Sequence, residues 1–554
     1  MRNARVLFTL CALVLTAGCG AGRLSVWFVD PLIKVFPDDP PGIHEAGSGS
    51  CLVARNGHGS VQLALRPAAA LKGVHVTVRA SEKLKVQARR AGYVPVGSNP
   101  SGTPYDEIIR PAPALYPDPL FEDAAFDVPA GQTTPVWITV YAPADTPPGD
   151  YRGEVEFTAG GRTLKRLAFQ VRVARAVVPP RQTLQVTNWL SLGEGRLGSY
   201  YRLDKNPDTY WTLLENIGRV MADHKQNVML TPVFSLAKPS VEGGSIRYDF
   251  ADLDRWVAVF EKAGVLGTIE GGHLLGRASG YQSGIVVPAY VIEQGKVVQK
   301  RLAPDDPRAE SFLNSFLGAL HAHLKEKSWV GRYIQHVHDE PHEHEAPVYN
   351  RYAQVIRRNM PGVPTIDAVS LQQDIGFFAD VCDIWVPVLG SFDRLLPAIQ
   401  AHVERGGQGW FYTCIGPQGR HLNRFIDLPL LKTRLLHWFN FRHNLTGYLH
   451  WGGSSWGPKP FQNVQTVLND NTTLLPAGDN AIVYPDAARN TVLSSIRLEA
   501  MRDGIEDYEL LVALSRKNPA RARALAAAAI PNVSDYVRDV AGFRKLVQQL
   551  LEEQ

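Results

Sequence analysis

The spacing of hydrophobic residues changes character once along the chain, near residue 180. Over residues 47–178, apolar and polar positions alternate in short segments such as 136–141, and turns rich in glycine and proline separate these segments. A period of two is typical of half-buried strands, and no helical pattern interrupts them. The pattern predicts an antiparallel β-sandwich over residues 24–178, which ends at Pro179 and Pro180.

Beyond residue 180, short apolar segments alternate with amphipathic ones. The eight segments predicted as strands are 184–190, 227–232, 265–271, 332–339, 363–370, 381–386, 409–414 and 445–451. The segments predicted as helices are 209–225, 253–263, 310–327, 348–358, 428–441 and 498–514. Eight strands with helical crossovers indicate a (β/α)8 barrel over residues 181–515, followed by a helical tail over 516–554. An open doubly wound sheet is the alternative, although no glycine-rich phosphate loop follows the first strand.

Residues 1–19 predict the cellular location of the protein. Arg2 and Arg5 precede an apolar stretch that is too short to span a bilayer, and the run 15–19 (LTAGC) resembles a bacterial lipobox. Residues 1–18 are therefore predicted to be a signal peptide, and Cys19 the lipidated first residue of the mature chain. The protein would then be a lipoprotein of the bacterial cell envelope, anchored to a membrane in the periplasm or on the outer surface. The alternative is an ordinary cleavable signal with an incidental cysteine.

Composition and charge exclude several other classes of protein. The chain has 554 residues, of which 45% are hydrophobic and 20% charged, whereas a disordered chain would be poorer in apolar residues. The net charge of +4, with no basic block, argues against a nucleic-acid partner. Cys11 lies in the predicted signal peptide and Cys19 would carry lipid, which leaves Cys51, Cys382 and Cys414. This odd number means that disulfides are not expected to hold the fold together. A Cys382–Cys414 bond is left open.

One acidic pair stands where a barrel collects its reacting groups. Asp339 and Glu340 directly follow the fourth predicted strand and precede Pro341, and the carboxyl ends of barrel strands form the active-site face. Two carboxyl groups at that face suit acid–base chemistry on a sugar. Pro341 is expected to bias Glu340 towards an extended backbone that projects its side chain outward.

Because the two acids are adjacent in the chain, they cannot easily flank a glycosidic bond from opposite faces. The spacing permits another division of labour, in which Asp339 polarises a 2-acetamido group of the substrate and Glu340 protonates the leaving oxygen. These roles need Glu340 protonated and Asp339 ionised, and repulsion between like charges would separate the two titrations. Two alternatives stay open, a solvated loop and a metal site built on His336 and His338. However, metal-dependent barrel hydrolases commonly carry such a histidine pair on the first strand.

Aromatic and polar residues near the strand ends are candidates for a sugar-binding site, because a pyranose stacks on aromatic rings and needs fixed polar partners for its hydroxyl groups. The candidates for substrate binding are Tyr412, Trp451, Trp456, His338 and His273. Trp451 and Trp456 lie among glycines and are expected to be exposed in the cleft. The residues expected to be structural instead are Trp256, Trp410, Trp438, Arg497, Glu499, Arg502, Asp503, Glu506 and Asp507.

Several segments resemble glycoside hydrolase family 123. They are 409–414 (GWFYTC), 434–438 (RLLHW), 446–451 (TGYLHW), 495–509 (SIRLEAMRDGIEDYE) and, in the sandwich, 136–140 and 148–151. The resemblance implies a β-sandwich followed by a barrel that releases β-linked N-acetylgalactosamine, or a related N-acetylhexosamine, from glycans or glycolipids by retaining, substrate-assisted hydrolysis. It implies Asp339 as the stabilising carboxylate and Glu340 as the acid/base, and no cofactor is expected. The alternatives are a non-catalytic glycan-binding lipoprotein and a glycosidase that takes another 2-acetamido sugar or cleaves in an endo fashion.

Overall fold

The N-terminal part of the chain is a β-sandwich. The computed structural model describes residues 24–203, 207–281, 283–370, 375–376, 380–468 and 472–554. The predicted signal peptide and Cys19 lie outside these residues. The sandwich strands are β1 Leu24–Val29, β2 Gly49–Arg55, β3 Gly57–Pro67, β4 Leu71–Arg79, β5 Lys85–Val96, β6 Ala114–Phe121, β7 Phe126–Val128, β8 Thr134–Ala142, β9 Gly149–Ala159 and β10 Arg162–Val177.

Two five-stranded sheets form this sandwich, in the orders β1-β3-β8-β5-β6 and β2-β10-β9-β4-β7. Neighbouring strands are antiparallel except for β2 and β10, which pair in parallel. Alternate residues such as Leu63, Val136 and Phe157 meet between the sheets and are fully buried. The burial explains the period-two pattern in the sequence, because successive side chains of a strand point to opposite faces.

The second part contains the remaining strands and all the α-helices of the described residues. They are, in chain order, β11 Gln185–Asn188, α1 Glu194–Leu197, α2 Pro207–Asp223, β12 Val228–Thr231, α3 Val233–Leu236, β13 Lys238–Glu242, β14 Ser245–Asp249, α4 Ala251–Ala263, β15 Thr268–Gly271, β16 Gly276–Arg277, β17 Ile285–Glu293, β18 Lys296–Leu302, α5 Pro307–Glu326, β19 Tyr333–His336, α6 Ala346–Asn359, β20 Thr365–Val369, β21 Ile384–Pro387, α7 Phe392–Glu404, β22 Gln408–Tyr412, α8 Leu430–Arg442, β23 Gly447–His450, β24 Tyr484–Asp486, β25 Thr491–Leu493, α9 Ile496–Lys517, α10 Pro519–Ala529 and α11 Val540–Glu552.

Eight of these strands form one parallel sheet in the order β11-β23-β22-β21-β20-β19-β15-β12. The first and second barrel strands also meet, since the backbone amide of Val186 donates to the side chain of Asn227 (2.9 Å). The sheet therefore closes into a barrel. The predicted (β/α)8 barrel is confirmed, and each of its strands overlaps one of the eight predicted segments. The open-sheet alternative is excluded.

Local sequence explains the helices that cover the barrel. In α5, the side chain of Asp306 caps the helix by accepting a hydrogen bond from the amide of Arg308 (2.9 Å), and Pro307 occupies the first turn. Phe316 and Leu320 then lie on the face that is buried against the barrel. Helix α7 and the inserted strands β13–β14 and β16–β18 were not predicted from the sequence. The inserted strands are not part of the strand–helix alternation that forms the barrel.

The residues expected to be structural are buried, as predicted. Trp256, Trp410 and Trp438 belong to the core, and the charged residues of α9 form buried ion pairs. Arg497, for example, donates to Asp118 of β6 at 2.9 and 2.8 Å. Helix α9 therefore joins the sandwich to the barrel.

The structure also shows whether the cysteines form disulfides and whether any helix could cross a bilayer. Cys51, Cys382 and Cys414 are all free, so the bond left open between Cys382 and Cys414 is not formed. In the described part of the chain, no helix has both the length and the apolar character needed to cross a bilayer.

Candidate active site

Asp339 and Glu340 lie at the carboxyl-terminal face of the barrel, in the loop after β19. The side chain of Asp339 is 55% exposed, and Glu340 is half-buried. The expectation of an extended backbone at Glu340 is wrong, because its φ is +42°. That left-handed conformation costs a non-glycine residue about 1–2 kcal/mol and persists where surrounding contacts impose it. Nη2 of Arg277 donates to the carbonyl oxygens of Asp339 (3.2 Å) and Glu340 (3.0 Å), which outweighs the preference that Pro341 imposes.

Two tyrosine hydroxyl groups hold the carboxyl group of Glu340. The hydroxyl of Tyr281 donates to Oε2 (2.7 Å), and that of Tyr412 donates to Oε1. Burial raises the pKa of Glu340 and the charge of Asp339 raises it further, whereas the two tyrosine hydrogen bonds oppose the shift. A raised pKa favours a carboxyl group that holds a proton and can donate it.

Asp339 lies beside two imidazole rings. Its Oδ1 is 3.9 Å from Nε2 of His273, and the rings of His273 and His336 are 4.4 Å apart. Desolvation and the neighbouring charge of His336 lower the pKa of His273 to about 3, so this ring is neutral. Although solvent reaches Asp339, the protein around it raises the pKa of its carboxyl group, and the cationic His336 opposes that shift.

A buried network of charged groups supports the floor of the site. His336 is fully buried; its Nε2 donates to Glu270 Oε1 (2.8 Å) and its Nδ1 to Asp367 Oδ1 (2.9 Å). Desolvation alone would lower the pKa of His336, but its hydrogen bonds to Asp367 and Glu270 raise it to about 10. Thr187 and Trp189 donate to the same Glu270 (2.8 and 2.9 Å). The imidazolium of His336 and the two carboxylates that it binds therefore connect four barrel strands, β11, β15, β19 and β20.

This geometry does not fit the metal site considered from the sequence. His273, His336 and Asp367 could bring three ligand atoms within 4.8 Å of one another. However, both ring nitrogens of His336 donate to carboxylates, so neither has a lone pair for a metal. His338 is buried and turned towards the carbonyl of Leu275 (Nδ1 to O, 3.5 Å). His336 and His338 therefore do not direct free nitrogen atoms to a common metal position.

The structure corrects two of the residues that were expected to contact substrate. Trp456 is only 2% exposed, and its indole N–H donates to the carbonyl of Val483 (2.7 Å), so the expectation of an exposed ring is wrong. Trp456 belongs to the insertion that follows β23, and the ring of Tyr200 contacts it edge-on. His338, 1% exposed, likewise has no surface open to the cleft.

The other predicted residues have different degrees of access to the cleft. Trp451 is half-buried at the end of β23, and its indole N–H donates to Asp479 (3.2 Å). Tyr412 is 4% exposed and reaches the cleft through its hydroxyl group. Trp189, half-buried at the end of β11, contacts His273 edge-on (5.4 Å between ring centres). Tyr412 therefore contacts Glu340 directly, and Trp189 contacts His273, which lies beside Asp339.

Sequence reasoning missed four polar residues of this site. Glu270 and Asp367 each interrupt a short apolar strand, and a charged residue inside a buried strand was a signal that could have found them. Arg277 and Tyr281 come from the insertion that begins with β16, and no sequence pattern distinguishes them from other loop residues.

Comparison with known proteins gives a consistent picture. A family model described as the catalytic domain of glycoside hydrolase 123 matches residues 195–514, more than half of the chain. A solved structure of a family 123 glycoside hydrolase from Clostridium perfringens, studied for glycolipid glycan hydrolysis, is similar over 96% of each chain, with a TM-score of 0.73 and 16% identity.

Two other solved structures are less similar to this chain. A family 5 xyloglucanase from Bacteroides ovatus matches with a TM-score of 0.30 and 10% identity, over 83% of this chain and 98% of its own. A family 39 glycoside hydrolase from Bacteroides cellulosilyticus matches with a TM-score of 0.37 and 10% identity, over 78% of this chain and 80% of its own. No curated protein sequence matches the chain. The family model decides the assignment: the chain belongs to glycoside hydrolase family 123.

Proposed function

We propose that this glycoside hydrolase releases β-linked N-acetylgalactosamine, or a related N-acetylhexosamine, from glycans or glycolipids. The reaction retains the anomeric configuration and is assisted by the substrate's own acetamido group. The proposal rests on one observation above all, the adjacency of Asp339 and Glu340 at the open face of the barrel. Two neighbouring acids are poorly placed to act from opposite faces of the sugar, which favours a nucleophile supplied by the substrate itself.

In the first step, the acetamido carbonyl oxygen attacks the anomeric carbon while the bond to the leaving oxygen breaks. Glu340 gives its proton to that oxygen, and Asp339 accepts a hydrogen bond from the acetamido N–H and stabilises the positive charge of the oxazolinium. In the second step, Glu340 takes a proton from water, the water oxygen bonds to the anomeric carbon and the oxazolinium ring opens. Two inversions at one carbon give net retention.

The surroundings of the two acids support these roles. Glu340 has a raised pKa and two tyrosine donors that orient its oxygens. Asp339 is exposed to solvent, and the charge of the buried imidazolium of His336 favours its ionised carboxylate against the desolvation that raises its pKa.

For the sugar itself, we propose Trp451 as the stacking platform, Tyr412 near the acetamido group and His273 as a partner of a hydroxyl group. Their access to the cleft supports this choice. The buried Trp456 and His338 are not proposed to touch the substrate.

The test is a panel of para-nitrophenyl β-glycosides of N-acetylgalactosamine, N-acetylglucosamine, galactose and glucose, with Glu340→Gln as the control for contaminating activity. We expect hydrolysis of the 2-acetamido sugars, the galacto epimer first, and the same rate after treatment with EDTA. Equal rates on sugars without the acetamido group would contradict assisted catalysis. A wild-type protein that binds these glycans without cleaving them would support the non-catalytic alternative.

We also propose that the protein is a membrane-anchored lipoprotein of the bacterial cell envelope, with lipid on Cys19. The support is the order of residues 2–19: two arginines, a short apolar stretch and small residues before the cysteine. A membrane anchor would hold the catalytic face close to glycans or glycolipids at that surface.

A further inference from the structure

An inserted sheet supplies two residues to the catalytic loop. Strands β16, β17 and β18 follow the third barrel strand and form a separate three-stranded sheet. Arg277 ends β16, and its side chain is only 11% exposed. Its Nη2 donates to the carbonyl oxygens of Asp339 and Glu340, and its Nη1 donates to Oε1 of the buried Glu345 (2.9 Å). One guanidinium group thus holds both peptide units of the acid pair.

Tyr281, on the same insertion, continues this arrangement to the acid itself. The guanidinium carbon of Arg277 lies 5.0 Å from the centre of the Tyr281 ring, a distance typical of a cation–π contact. The hydroxyl of that ring donates to Glu340 Oε2 (2.7 Å). The contacts form a chain from Arg277 through Tyr281 to the carboxyl group.

The backbone at Glu340 needs such support. Its positive φ is unusual for a residue with a long side chain, and donors to the carbonyl oxygens on both sides of Glu340's Cα restrict the peptide planes that flank it. Glu345 keeps the guanidinium in place from behind, since its Oε2 also accepts the amide of His342 (2.7 Å). The loop and the arginine are therefore fixed together.

We propose that Arg277 is a positioning residue, which sets the backbone that aims Asp339 and Glu340 and, through Tyr281, orients the carboxyl group of Glu340. This inference rests on the proposed function, because it assigns the arginine to the same reaction. Arg277 touches no reacting atom in this scheme; it acts through the loop.

Three variants separate geometry from charge. Arg277→Lys keeps the charge but loses the planar fork, whose Nη2 binds the two carbonyl groups while its Nη1 binds Glu345. Arg277→Met loses both, and Tyr281→Phe loses only the hydroxyl group. Arg247→Met is the matched control, because Arg247 lies on the other inserted hairpin with 71% of its side chain exposed.

The expected results are distinct for each variant. Arg277→Lys should lower kcat by about 10²-fold with little change in KM, since a displacement near 1 Å can have that effect. The charge of Arg277 lowers the pKa of both carboxyl groups. Arg277→Met should therefore move both limbs of the pH–rate profile to higher pH: the acidic limb follows ionisation of Asp339, and the alkaline limb follows deprotonation of Glu340. Tyr281→Phe should raise the alkaline limb alone.

Other ionisable groups share this environment and stay in place in all variants. In the described residues, the groups facing Glu340 and Asp339 include Tyr412, His273, His336, His338 and Asp367. A further variant, Arg277→Ala, leaves space for the missing group. Guanidinium ion added to it should restore part of the lost kcat, which a role in folding alone would not predict. Thermal unfolding of every variant checks that the protein is folded.

The outcomes distinguish this inference from the proposed function. A wild type without activity on any 2-acetamido sugar would overturn the proposed function and this assignment with it. An active wild type with normal kcat in Arg277→Lys and unshifted limbs in Tyr281→Phe would overturn only the positioning role. These two variants change few atoms, so they keep the test decisive if Arg277→Met fails to fold.

Discussion

At the scale of single residues, Asp339 and Glu340 illustrate how environment separates two similar acids. Burial and the charge of Asp339 favour the protonated form of Glu340, and they outweigh the opposing hydrogen bonds from Tyr281 and Tyr412. Asp339 is more than half exposed, and the charge of His336 lowers its pKa against the effect of desolvation. The two side chains differ by one methylene group, and the protein around them assigns opposite tasks.

Substitution of each acid should therefore give a different kinetic pattern. Glu340→Gln removes the proton donor, so cleavage of sugars with poor leaving groups should fall about 10²–10⁴-fold, and activated aryl glycosides should lose much less in the first step. Asp339→Asn removes the charge that stabilises the oxazolinium, so even activated substrates should slow by about 10²–10³-fold. The measurement is kcat/KM on aryl glycosides of graded leaving-group pKa. Equal losses on all leaving groups in Glu340→Gln would contradict its role as acid.

At the scale of elements, buried ion pairs join the barrel strands in addition to the backbone hydrogen bonds between them. His336 of β19 donates to Glu270 of β15 and Asp367 of β20, and Tyr349 of α6 donates to the same Asp367 (2.6 Å). A cation between two anions inside the barrel is stable only because all of its donors are satisfied. The network fixes the strand ends on which the catalytic loop begins.

His336→Gln should destabilise the fold by about 3–5 kcal/mol at pH 6, because two buried carboxylates lose their shared cation. The pKa of His336 is raised from 6.5 to about 10, so its contribution is fully present below about pH 6.5 and declines as pH rises towards 10. The difference in unfolding free energy between wild type and variant should shrink between pH 6 and pH 10, as measured by urea unfolding. A difference that stays constant over this range would contradict a cationic His336.

At the scale of the whole molecule, the charged helix α9 connects the two bodies. Besides Arg497 and Asp118, Arg89 of β5 pairs with Glu499 (2.7 Å), and the hydroxyl of Tyr484 donates to Asp118 (2.6 Å). Buried pairs of this kind bind the sandwich to the barrel in one orientation, since each charge left unpaired would be costly. Segment 495–509, one of those that resemble glycoside hydrolase family 123, thus stabilises the arrangement of the sandwich and the barrel.

The lipid anchor is also a property of the whole molecule. Cys19→Ser should abolish incorporation of radiolabelled palmitate and move the protein from the membrane fraction to the soluble fraction, because no acyl chain would then hold it. Cys11→Ser, also within the N-terminal segment but outside the lipobox, is the matched control and should stay in the membrane. A Cys19→Ser protein that remains in the membrane and still takes up label would contradict the proposal.

The sequence by itself determined the architecture and the position of the acid pair. Local periodicity reports which face of a segment is apolar, so it predicted a β-sandwich and all eight barrel strands. The position of Asp339 and Glu340 followed from their place after the fourth barrel strand. The tertiary structure alone decided which distant residues meet there. Arg277 lies about sixty residues before Glu340 in the chain, and the burial of Trp456 depends on how an irregular insertion folds back. Such contacts depend on loop conformation and strand register, which hydrophobic periodicity does not encode.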